Sequence, residues 1–377
     1  MKLAKLFIVL VIFITGCRGE DELSQRINAA EQFDLTKANS AYLTEDTNYS
    51  VGSGETVNNI GDIAVDEAGN LYLVNNHKKR IEVFGPGGEK VTNIGKPGSD
   101  PGDFQKPVYL QVVGNHLYAY DNSLNRGYQY SLSAYDLRNT TYFRSVVQSI
   151  ETDSLKDAQP FSIRIMEDEN YLAVFQKVYA PENRQLFMYR VNLEGEFISD
   201  QLLSFKNRNL YVDETKNPPL IMMLPYEPET LFATDSQSNL YSAFSEQFLI
   251  EIRNSKGEHM EDRYYPFVKQ NLIRSDAIEL FTDTFQRRAI RRADLPEKWP
   301  ALSKILIDDE DRLWVATIVN DLNTYRWYVM EPSGEPLATF VLPRDLEIEV
   351  VKNGYVYIKQ YNSRAFFDQV KRYTFDF

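Results

Sequence analysis

A short pattern that recurs along the chain constrains its fold more than any other feature of the sequence. The first copy, DEAGNLYLVNNHKKRIEVF at residues 66–84, has a polar turn, an apolar–aromatic pair, an Asn-rich loop and a second apolar strand. An alternating apolar strand precedes the turn, so the pattern predicts a β-hairpin followed by a third strand. Aligned on the apolar–aromatic pair, the copies are Asn70-Leu71-Tyr72, His116-Leu117-Tyr118, Asn170-Tyr171-Leu172, Asn239-Leu240-Tyr241, Arg312-Leu313-Trp314 and Tyr355-Val356-Tyr357.

The spacing of the six copies predicts the architecture. The middle residues of the triplets are at positions 71, 117, 171, 240, 313 and 356, so neighbouring copies lie between 43 and 73 residues apart. A glycine turn such as 86–89 follows the third strand and leads into a fourth. A period of about 45 residues with four strands per repeat is typical of a β-propeller. We therefore expect an all-β, six-bladed β-propeller with four-stranded antiparallel blades, because one blade alone cannot bury both of its faces.

The sixth repeat has no predicted fourth, outer strand. The chain ends at Phe377, inside the segment 366–377 that is expected to form the third strand of the sixth blade. A ring left open would expose two sheet edges. We therefore predict that a strand within Gln32–Leu43 pairs with the C-terminal strand around Val370–Phe375 and completes the sixth blade.

A short helical insertion is predicted between blades four and five, with Ser275 as the candidate N-cap residue. Apolar residues recur there at three- and four-residue steps, at Ala277, Leu280, Phe281, Phe285 and Ala289. Four arginines lie near the end of the insertion: Arg287, Arg288, Arg291 and Arg292. They either stabilise the negative end of the helix dipole or form a docking patch for a partner.

The N-terminus has the features of a secretory signal. Residues 1–16 combine two lysines with an apolar run that is too short to span a bilayer. Ile14-Thr15-Gly16-Cys17 resembles the bacterial lipobox, which implies that Cys17 is lipidated and begins the mature chain. Cys17 is the only cysteine, so no internal disulfide is possible, and the alternative is an ordinary signal peptide with an incidental cysteine. The predicted organisation is a lipoprotein signal peptide at 1–16, a tether at 17–30 and a propeller at 31–377.

A lipid anchor predicts a protein held in the cell envelope. Arg18 follows the cysteine, where an Asp is associated with inner-membrane retention, so the outer membrane is favoured, on its periplasmic side or at the cell surface. The acidic run Glu20-Asp21-Glu22 resembles the surface-export signal of Bacteroidota lipoproteins, and the alternative is a solvated tether. The formal net charge of -13 argues against nucleic acid as a partner, because such binding relies on Lys and Arg neutralising phosphate.

One segment carries a family resemblance. Gly102-Asp103-Phe104-Gln105-Lys106-Pro107, taken with DEAGNLY and KRIEVF, resembles the NHL-repeat family over roughly residues 60–120. The lipobox followed by six irregular blades is similar to the six-bladed propeller lipoproteins of Bacteroidota. The resemblance implies the propeller fold and the envelope location, and it implies no particular chemistry.

The loops between the second and third strands form the candidate binding face. They lie at one end of the central channel, and an Asn followed by an Arg recurs in most of them. Arginine recognises carboxylates with paired hydrogen bonds, so such a ring would bind an acidic or hydroxyl-rich small ligand, or an envelope protein. The alternative is structural, with Asn turning the loop and Arg covering or pairing with its neighbours. The candidate residues are Asn76, Arg80, Asn122, Arg126, Arg184, Asn323, Arg326 and Arg364.

The sequence offers weak evidence for catalysis, so we predict neither catalytic residues nor a cofactor nor a metal site. The three histidines, His77, His116 and His259, fall in separate blades, and no G-x-S-x-G motif occurs. We favour a membrane-anchored binding or scaffolding propeller; a sensor or assembly subunit of an envelope complex stays open. The alternative is a channel-mouth hydrolase or lyase that resembles metal-dependent, lactonase-like six-bladed propellers, with oxygen ligands for calcium from Asp121, Asn122, Asn320 and Asp321.

Overall fold

The computed structural model describes residues 17–51, 59–143, 155–215, 217–281, 283–362 and 367–376. The predicted signal peptide, 1–16, lies outside the described residues. The described chain is an all-β fold of six four-stranded antiparallel blades arranged in a propeller ring, which confirms the prediction from the repeat.

The strands follow the chain order from blade to blade, starting with an N-terminal arm that contributes to three blades. The arm contains β1 (Glu31–Gln32), β2 (Asn39–Ser40) and β3 (Tyr42–Val51). Blades one to three contain β4 (Ile60–Val65), β5 (Leu71–Asn75), β6 (Arg80–Phe84) and β7 (Lys90–Ile94); β8 (Pro107–Val113), β9 (His116–Asp121), β10 (Arg126–Ser131) and β11 (Leu137–Tyr142); and β12 (Gln159–Ile165), β13 (Tyr171–Ala180), β14 (Asn183–Val191) and β15 (Leu203–Lys206). A separate hairpin contains β16 (Tyr211–Asp213) and β17 (Leu220–Met222). Blades four to six contain β18 (Thr230–Thr234), β19 (Leu240–Phe244), β20 (Leu249–Arg253) and β21 (His259–Tyr264); β22 (Leu302–Ile307), β23 (Leu313–Ile318), β24 (Thr324–Met330) and β25 (Pro336–Pro343); and β26 (Leu346–Lys352), β27 (Tyr355–Asn362) and β28 (Phe367–Asp376).

The second strand of each blade is apolar on both faces because both faces are covered. In blade one, Leu71, Tyr72, Leu73 and Val74 have no exposed surface. Each blade packs between two neighbours, so an inner strand has no solvent side and its sequence does not alternate. This explains why the apolar–aromatic pair is the most constant part of the repeat.

The aspartate that opens the repeat holds the turn and the aromatic residue together. Asp66 accepts hydrogen bonds from the backbone N–H of Asn70 at 2.8 Å and from the Tyr72 hydroxyl at 2.9 Å. Asp308 repeats this arrangement, accepting from the Arg312 N–H and from Trp314 Nε1, both at 2.8 Å. The pattern in the sequence is therefore a folded unit in which one carboxylate fixes the turn and places the core aromatic side chain.

The N-terminal arm closes the ring, and it does so further along the chain than the sequence predicted. The partner of the C-terminal strand β28 is β3 at 42–51, with Leu43 opposite Phe375 and Val51 opposite Val370, rather than a strand within 32–43. The preceding residues run around the rim of the propeller. Strand β1 adds in parallel to the outer edge of blade four, and β2 adds in parallel to the outer edge of blade five. The arm thereby covers two sheet edges before it completes the sixth blade.

The predicted tether is helical where the structure describes it. Helix α1 spans Cys17–Ala29, and Arg26 joins it to blade four, where its guanidinium donates to Asp262 at 2.9 and 3.1 Å and lies 3.3 Å from Glu251. Within the described part of the chain, no helix has the length and apolar character needed to cross a membrane.

The insertion between blades four and five contains two helices, α2 (Arg274–Glu279) and α3 (Thr284–Arg292). The prediction of Ser275 as N-cap is wrong: Ser275 bonds the neighbouring Asp276 side chain, whereas Asp283 caps α3 by accepting from the N–H groups of Phe285 and Gln286, both at 2.9 Å. An aspartate at this position satisfies N–H groups that the helix itself leaves free. The helices pack with the β16–β17 hairpin around a small core containing Leu224, Tyr226, Ala277, Ile290 and Trp299.

Candidate functional site

The antiparallel strand order gives the propeller two distinct faces. Loops between the second and third strands, and the links into the next blade, lie on what we call the loop face. Turns between the first and second strands, such as 66–69, lie on the opposite turn face. The predicted ring of Asn and Arg residues belongs to the loop face.

Arg80 lies on the loop face but binds its own blade. Its Nη2 lies 2.6 Å from Oε1 of Glu82, two residues along the same strand, and the Glu82 side chain has no exposed surface. Lys90 of the outer strand reaches the same oxygen at 3.5 Å. Burial favours the neutral form of Glu82, but hydrogen bonding from Arg80 and the nearby lysines outweigh it and hold the pKa of Glu82 below its ordinary value. For Arg80 the contacts are those of the structural alternative, in which the arginine pairs with a neighbouring residue.

Arg126 and Arg184 are also used within their own blades. Arg126 donates to the Ser99 carbonyl at 2.6 Å and covers the ring of Tyr142, 4.9 Å from its centroid. Arg184 is buried and donates to the Arg208 carbonyl at 2.7 Å and to the Gln176 side chain. Burial, with the nearby charge of Arg208, lowers the pKa of Arg184.

Three of the remaining predicted residues make local hydrogen bonds. The Asn76 N–H donates to the Asn59 carbonyl at 3.1 Å, the Asn122 N–H donates to the Lys106 carbonyl at 3.0 Å, and Asn323 Nδ2 donates to Asp321 at 3.2 Å. Arg326 is half-buried on strand β24, and Arg364 lies outside the described residues. None of the seven described members of the predicted set lines the central cavity.

The central channel contains a cavity with polar side chains. A cavity of about 810 Å³ is lined by the first strands of all six blades, β4, β8, β12, β18, β22 and β26, and extends to their turns. Pockets of this size bind small organic ligands in other proteins. The candidate site therefore lies on the axis, within the strands, rather than on the loops.

A belt of hydrogen bonds joins the six blades around this cavity. Each blade boundary has at least one bond between a side chain of one blade and the backbone of the next, and these bonds connect the first strands and the turns that follow them. One such bond from each boundary, written from donor to acceptor, is Leu110 N–H to the Asp62 side chain (2.8 Å), Ile165 N–H to the Gln111 side chain (2.8 Å), Glu167 N–H to the Ser238 side chain (2.6 Å), Ser236 N–H to the Asp311 side chain (2.8 Å), Asn353 N–H to the Asp309 side chain (2.7 Å) and the Asn353 side chain to the Asp66 carbonyl (3.2 Å).

Two carboxyl groups of the channel have opposite electrostatic surroundings. Asp62 accepts from the N–H groups of Leu110 and Ile63, yet burial raises the pKa of Asp62 to about 7, with help from the nearby charge of Glu349. Burial acts on Glu349 in the same direction, but Lys304 at 2.7 Å and Lys359 at 3.1 Å outweigh it and hold the pKa of Glu349 below its ordinary value. Near neutral pH, Asp62 can therefore exchange a proton while Glu349 stays charged.

Arg164 is the cation of the channel that has no carboxylate partner. It lies between two rings from neighbouring blades, with its guanidinium carbon 4.9 Å from the Tyr109 centroid and 5.6 Å from the Phe232 centroid. Its Nη1 donates a long hydrogen bond of 3.5 Å to the Ile163 carbonyl, and no Asp or Glu of the described chain forms an ion pair with it. Burial raises the pKa of Tyr109 to about 12, against the opposing effect of Arg164.

The first strands contain a sequence pattern that indicates this site and that was not used in predicting the loop residues. A polar or charged residue interrupts the apolar first strand in five of the blades, although such a strand should be uniformly apolar if it only packed between neighbours. The interrupting residues are Asp62, Gln111, Arg164, Lys304 and Glu349.

Groups that could bind a metal lie elsewhere. In the ranges that the structure describes, the one cluster of three potential ligands is Glu251, His259 and Asp262, on the outer part of blade four, where Arg26 already contacts both carboxylates. Two of the oxygen ligands considered for calcium are used locally: Asp121 accepts from the N–H groups of Gln105 and Lys106 at 2.7 and 2.8 Å, and Asp321 accepts from the Asn323 N–H at 3.0 Å.

Comparison with known proteins adds the fold and little more. No protein-family model matches the chain, and no curated protein is similar to it. A Bacteroides fragilis NCTC 9343 protein assigned as exported is 11% identical over 91% of this chain and 98% of that one, with a TM-score of 0.51. A member of the duf4221 family from Bacteroides vulgatus ATCC 8482 is 11% identical over 90% and 98%, with a TM-score of 0.49. A calcium-binding regucalcin from Agrobacterium tumefaciens is 8% identical over 91% and 95%, with a TM-score of 0.44. Identities this low show the propeller fold alone.

Proposed function

We propose that this chain is an extracytoplasmic binding propeller, held at a membrane by a lipid on Cys17, that takes a small ligand into its central channel. The observation that carries the proposal is the cavity of about 810 Å³, to which all six blades contribute polar groups. A propeller whose axis served only for packing would fill it with apolar side chains, whereas this axis holds Asp62, Arg164, Lys304 and Glu349.

The envelope location rests on the N-terminal sequence. The lipobox-like Ile14-Thr15-Gly16-Cys17 and the resemblance to NHL-like propeller lipoproteins of Bacteroidota both favour export and lipidation. A protein of the same fold from Bacteroides fragilis, assigned as exported, is consistent with this. Helix α1 contacts β21, the outer antiparallel strand of blade four, so an anchor at Cys17 would start from the rim and leave the channel accessible.

The anchor is tested by fractionation. We expect the wild-type protein to sediment with membranes after a carbonate wash and a Cys17→Ser variant to remain in the supernatant, because one residue would carry the whole acyl attachment. A Cys17→Ser variant that still sediments would contradict the lipoprotein assignment and leave the channel proposal unaffected.

The channel is tested by native mass spectrometry of the protein purified from its own membranes. We expect a small bound molecule on the wild type and none on Ser162→Trp, because Ser162 lines the cavity and an indole would fill part of it. Ser133→Trp, on an exposed turn of blade two, is the matched control and should retain the molecule. Equal retention by the two tryptophan variants would place the ligand outside the channel.

A further inference from the structure

The guanidinium of Arg164 lies over aromatic rings from both neighbouring blades. Its carbon is 4.9 Å from the ring centroid of Tyr109 in blade two and 5.6 Å from that of Phe232 in blade four. The N–H groups of a guanidinium lie in its plane and point outward from its edge. These two ring contacts restrict the position of the group. The donors that its one long hydrogen bond to the Ile163 carbonyl does not use can recognise a planar carboxylate with paired hydrogen bonds.

A second polar group belongs to the same site. Ser162 and Arg164 pair with Val174 and Leu172 on the neighbouring strand, so they are two residues apart on one face of β12. The Ser162 hydroxyl is shielded from solvent and has no hydrogen-bond partner. A buried hydroxyl without a partner costs free energy, so a ligand gains affinity when the Ser162 side chain turns towards the cavity and bonds to it.

The surroundings of Arg164 indicate a ligand with hydroxyl groups and an apolar side. Phe161, adjacent to Ser162, lines the cavity with 41% of its surface exposed, beside Tyr109 and Phe232. Asp62 lies in the same cavity, and its carboxyl oxygens can bond a ligand hydroxyl. The apolar face of a sugar ring would pack on the aromatic side chains while its hydroxyl groups reach Ser162 and Asp62.

We propose that Arg164, with Ser162 and Asp62, forms a binding site for a sugar carboxylate in the central channel. This proposal rests on the proposed function, because it names the ligand class of that channel. The carboxylate binds the edge of Arg164, and the ring packs against Tyr109, Phe161 and Phe232. A neutral sugar lacks the charge that Arg164 recognises, and a simple carboxylate lacks the ring.

The test uses titration calorimetry on the purified Cys17→Ser chain with five probes: galacturonate, galactose, glucuronate, glucose and acetate. We expect one of the two uronates to bind, and the corresponding neutral sugar and acetate to bind at least roughly tenfold more weakly, since removal of one partner from a buried charged pair has effects of this size or larger. Arg164→Gln should lose roughly tenfold or more in uronate affinity. Arg164→Lys should also bind more weakly than wild type, because lysine keeps the positive charge but cannot donate two parallel hydrogen bonds to a carboxylate.

Arg126→Gln is the matched control, since Arg126 is a loop-face arginine that binds Ser99 and Tyr142 outside the cavity; its uronate affinity should equal that of wild type. Melting temperatures of all variants show whether each one is folded. Equal affinity of wild type and folded Arg164→Gln for the uronate overturns the role of Arg164. Absence of uronate binding by wild type overturns the ligand class. Neither result affects the native mass spectrometry of the Ser162→Trp variant, which tests the proposed function separately.

Discussion

Arg372 of the C-terminal strand lies 2.6 Å from Asp46 of the N-terminal arm, at the seam where the two ends of the chain meet. The same guanidinium covers the rings of Tyr49 and Tyr355, each 4.2 Å from its centroid. Burial lowers the pKa of Arg372, but the Asp46 hydrogen bond is among the contacts that outweigh it and leave that pKa raised. One side chain of β28 therefore contacts β3, which closes the blade, and β27 of the same blade.

Substitution of Arg372 tests how much this seam contributes. We expect Arg372→Ala to lower the free energy of unfolding, with about 1–2 kcal/mol attributable to the two ring contacts alone. Urea unfolding followed by tryptophan fluorescence measures the change. Arg291→Ala, on the exposed side of α3, should leave the midpoint unchanged. An Arg372→Ala midpoint equal to that of Arg291→Ala would show that the seam does not depend on this residue.

Truncation separates the two roles of the N-terminal arm. Starting the soluble chain at residue 41 removes α1, β1 and β2, and should lower the melting temperature modestly because these elements cover edges that are already part of complete blades. Starting it at residue 59 also removes β3, with the buried Tyr49 and Val51, and should prevent cooperative folding because blade six loses its fourth strand. Equal melting temperatures for the two truncations would contradict closure by β3.

The turn carboxylates should be structurally essential. Asp308 has no exposed side-chain surface and accepts from Trp314 and from both the backbone and the side chain of Arg312. Asp308→Ala leaves these buried donors without a partner, so we expect a loss of about 3 kcal/mol in unfolding free energy. The exposed Asp345→Ala is the control. A loss below that of ordinary surface substitutions would show that the turn forms without its carboxylate.

Asp62 should make stability depend on pH. Its pKa in the folded protein is raised to about 7, above the ordinary value of 3.8, so the folded state holds a proton that the unfolded state releases. This stabilisation is fully present below pH 4 and is lost as the pH rises towards 7. Asp62→Asn keeps a hydrogen-bond acceptor for Leu110 without the proton. The stability of the variant relative to wild type should therefore rise between pH 5 and pH 8, by on the order of 1 kcal/mol or more. Parallel stability curves for wild type and variant would contradict the shift.

Arg26 should hold α1 against blade four. Arg26→Ala removes the contacts with Asp262 and Glu251, and we expect faster hydrogen exchange in 17–29 with little change in the exchange of blade six. Lys37→Ala, which removes an exposed pair with Glu335, is the control and should leave α1 unaffected. Unchanged exchange in 17–29 would mean that other contacts position the helix.

Much of the architecture follows from local sequence because its causes are local. Asp66, Gly69 and Tyr72 lie within seven residues, and their spacing specifies a turn, a hairpin and a core position together. Six such units predict six blades, and a missing last strand predicts closure by the other end of the chain. The position of the closing strand could not be predicted from local sequence, because residues 32–51 contain several short polar stretches. Only pairing with β28 selects 42–51.

The sequence by itself determined the blade number, the order of the strands, the helical insertion and the candidate export signal, because each depends on residues that are close along the chain. Only the tertiary structure decided the site. Asp62, Arg164, Lys304 and Glu349 come from four blades, and no short-range pattern reveals that they share one cavity. For the loop arginines, a repeated motif in the sequence suggested a convergent ring. In the structure, Arg80, Arg126 and Arg184 pack against their own blades instead. Convergence depends on the direction of each side chain in the closed ring, and that direction is set by contacts between residues distant in sequence.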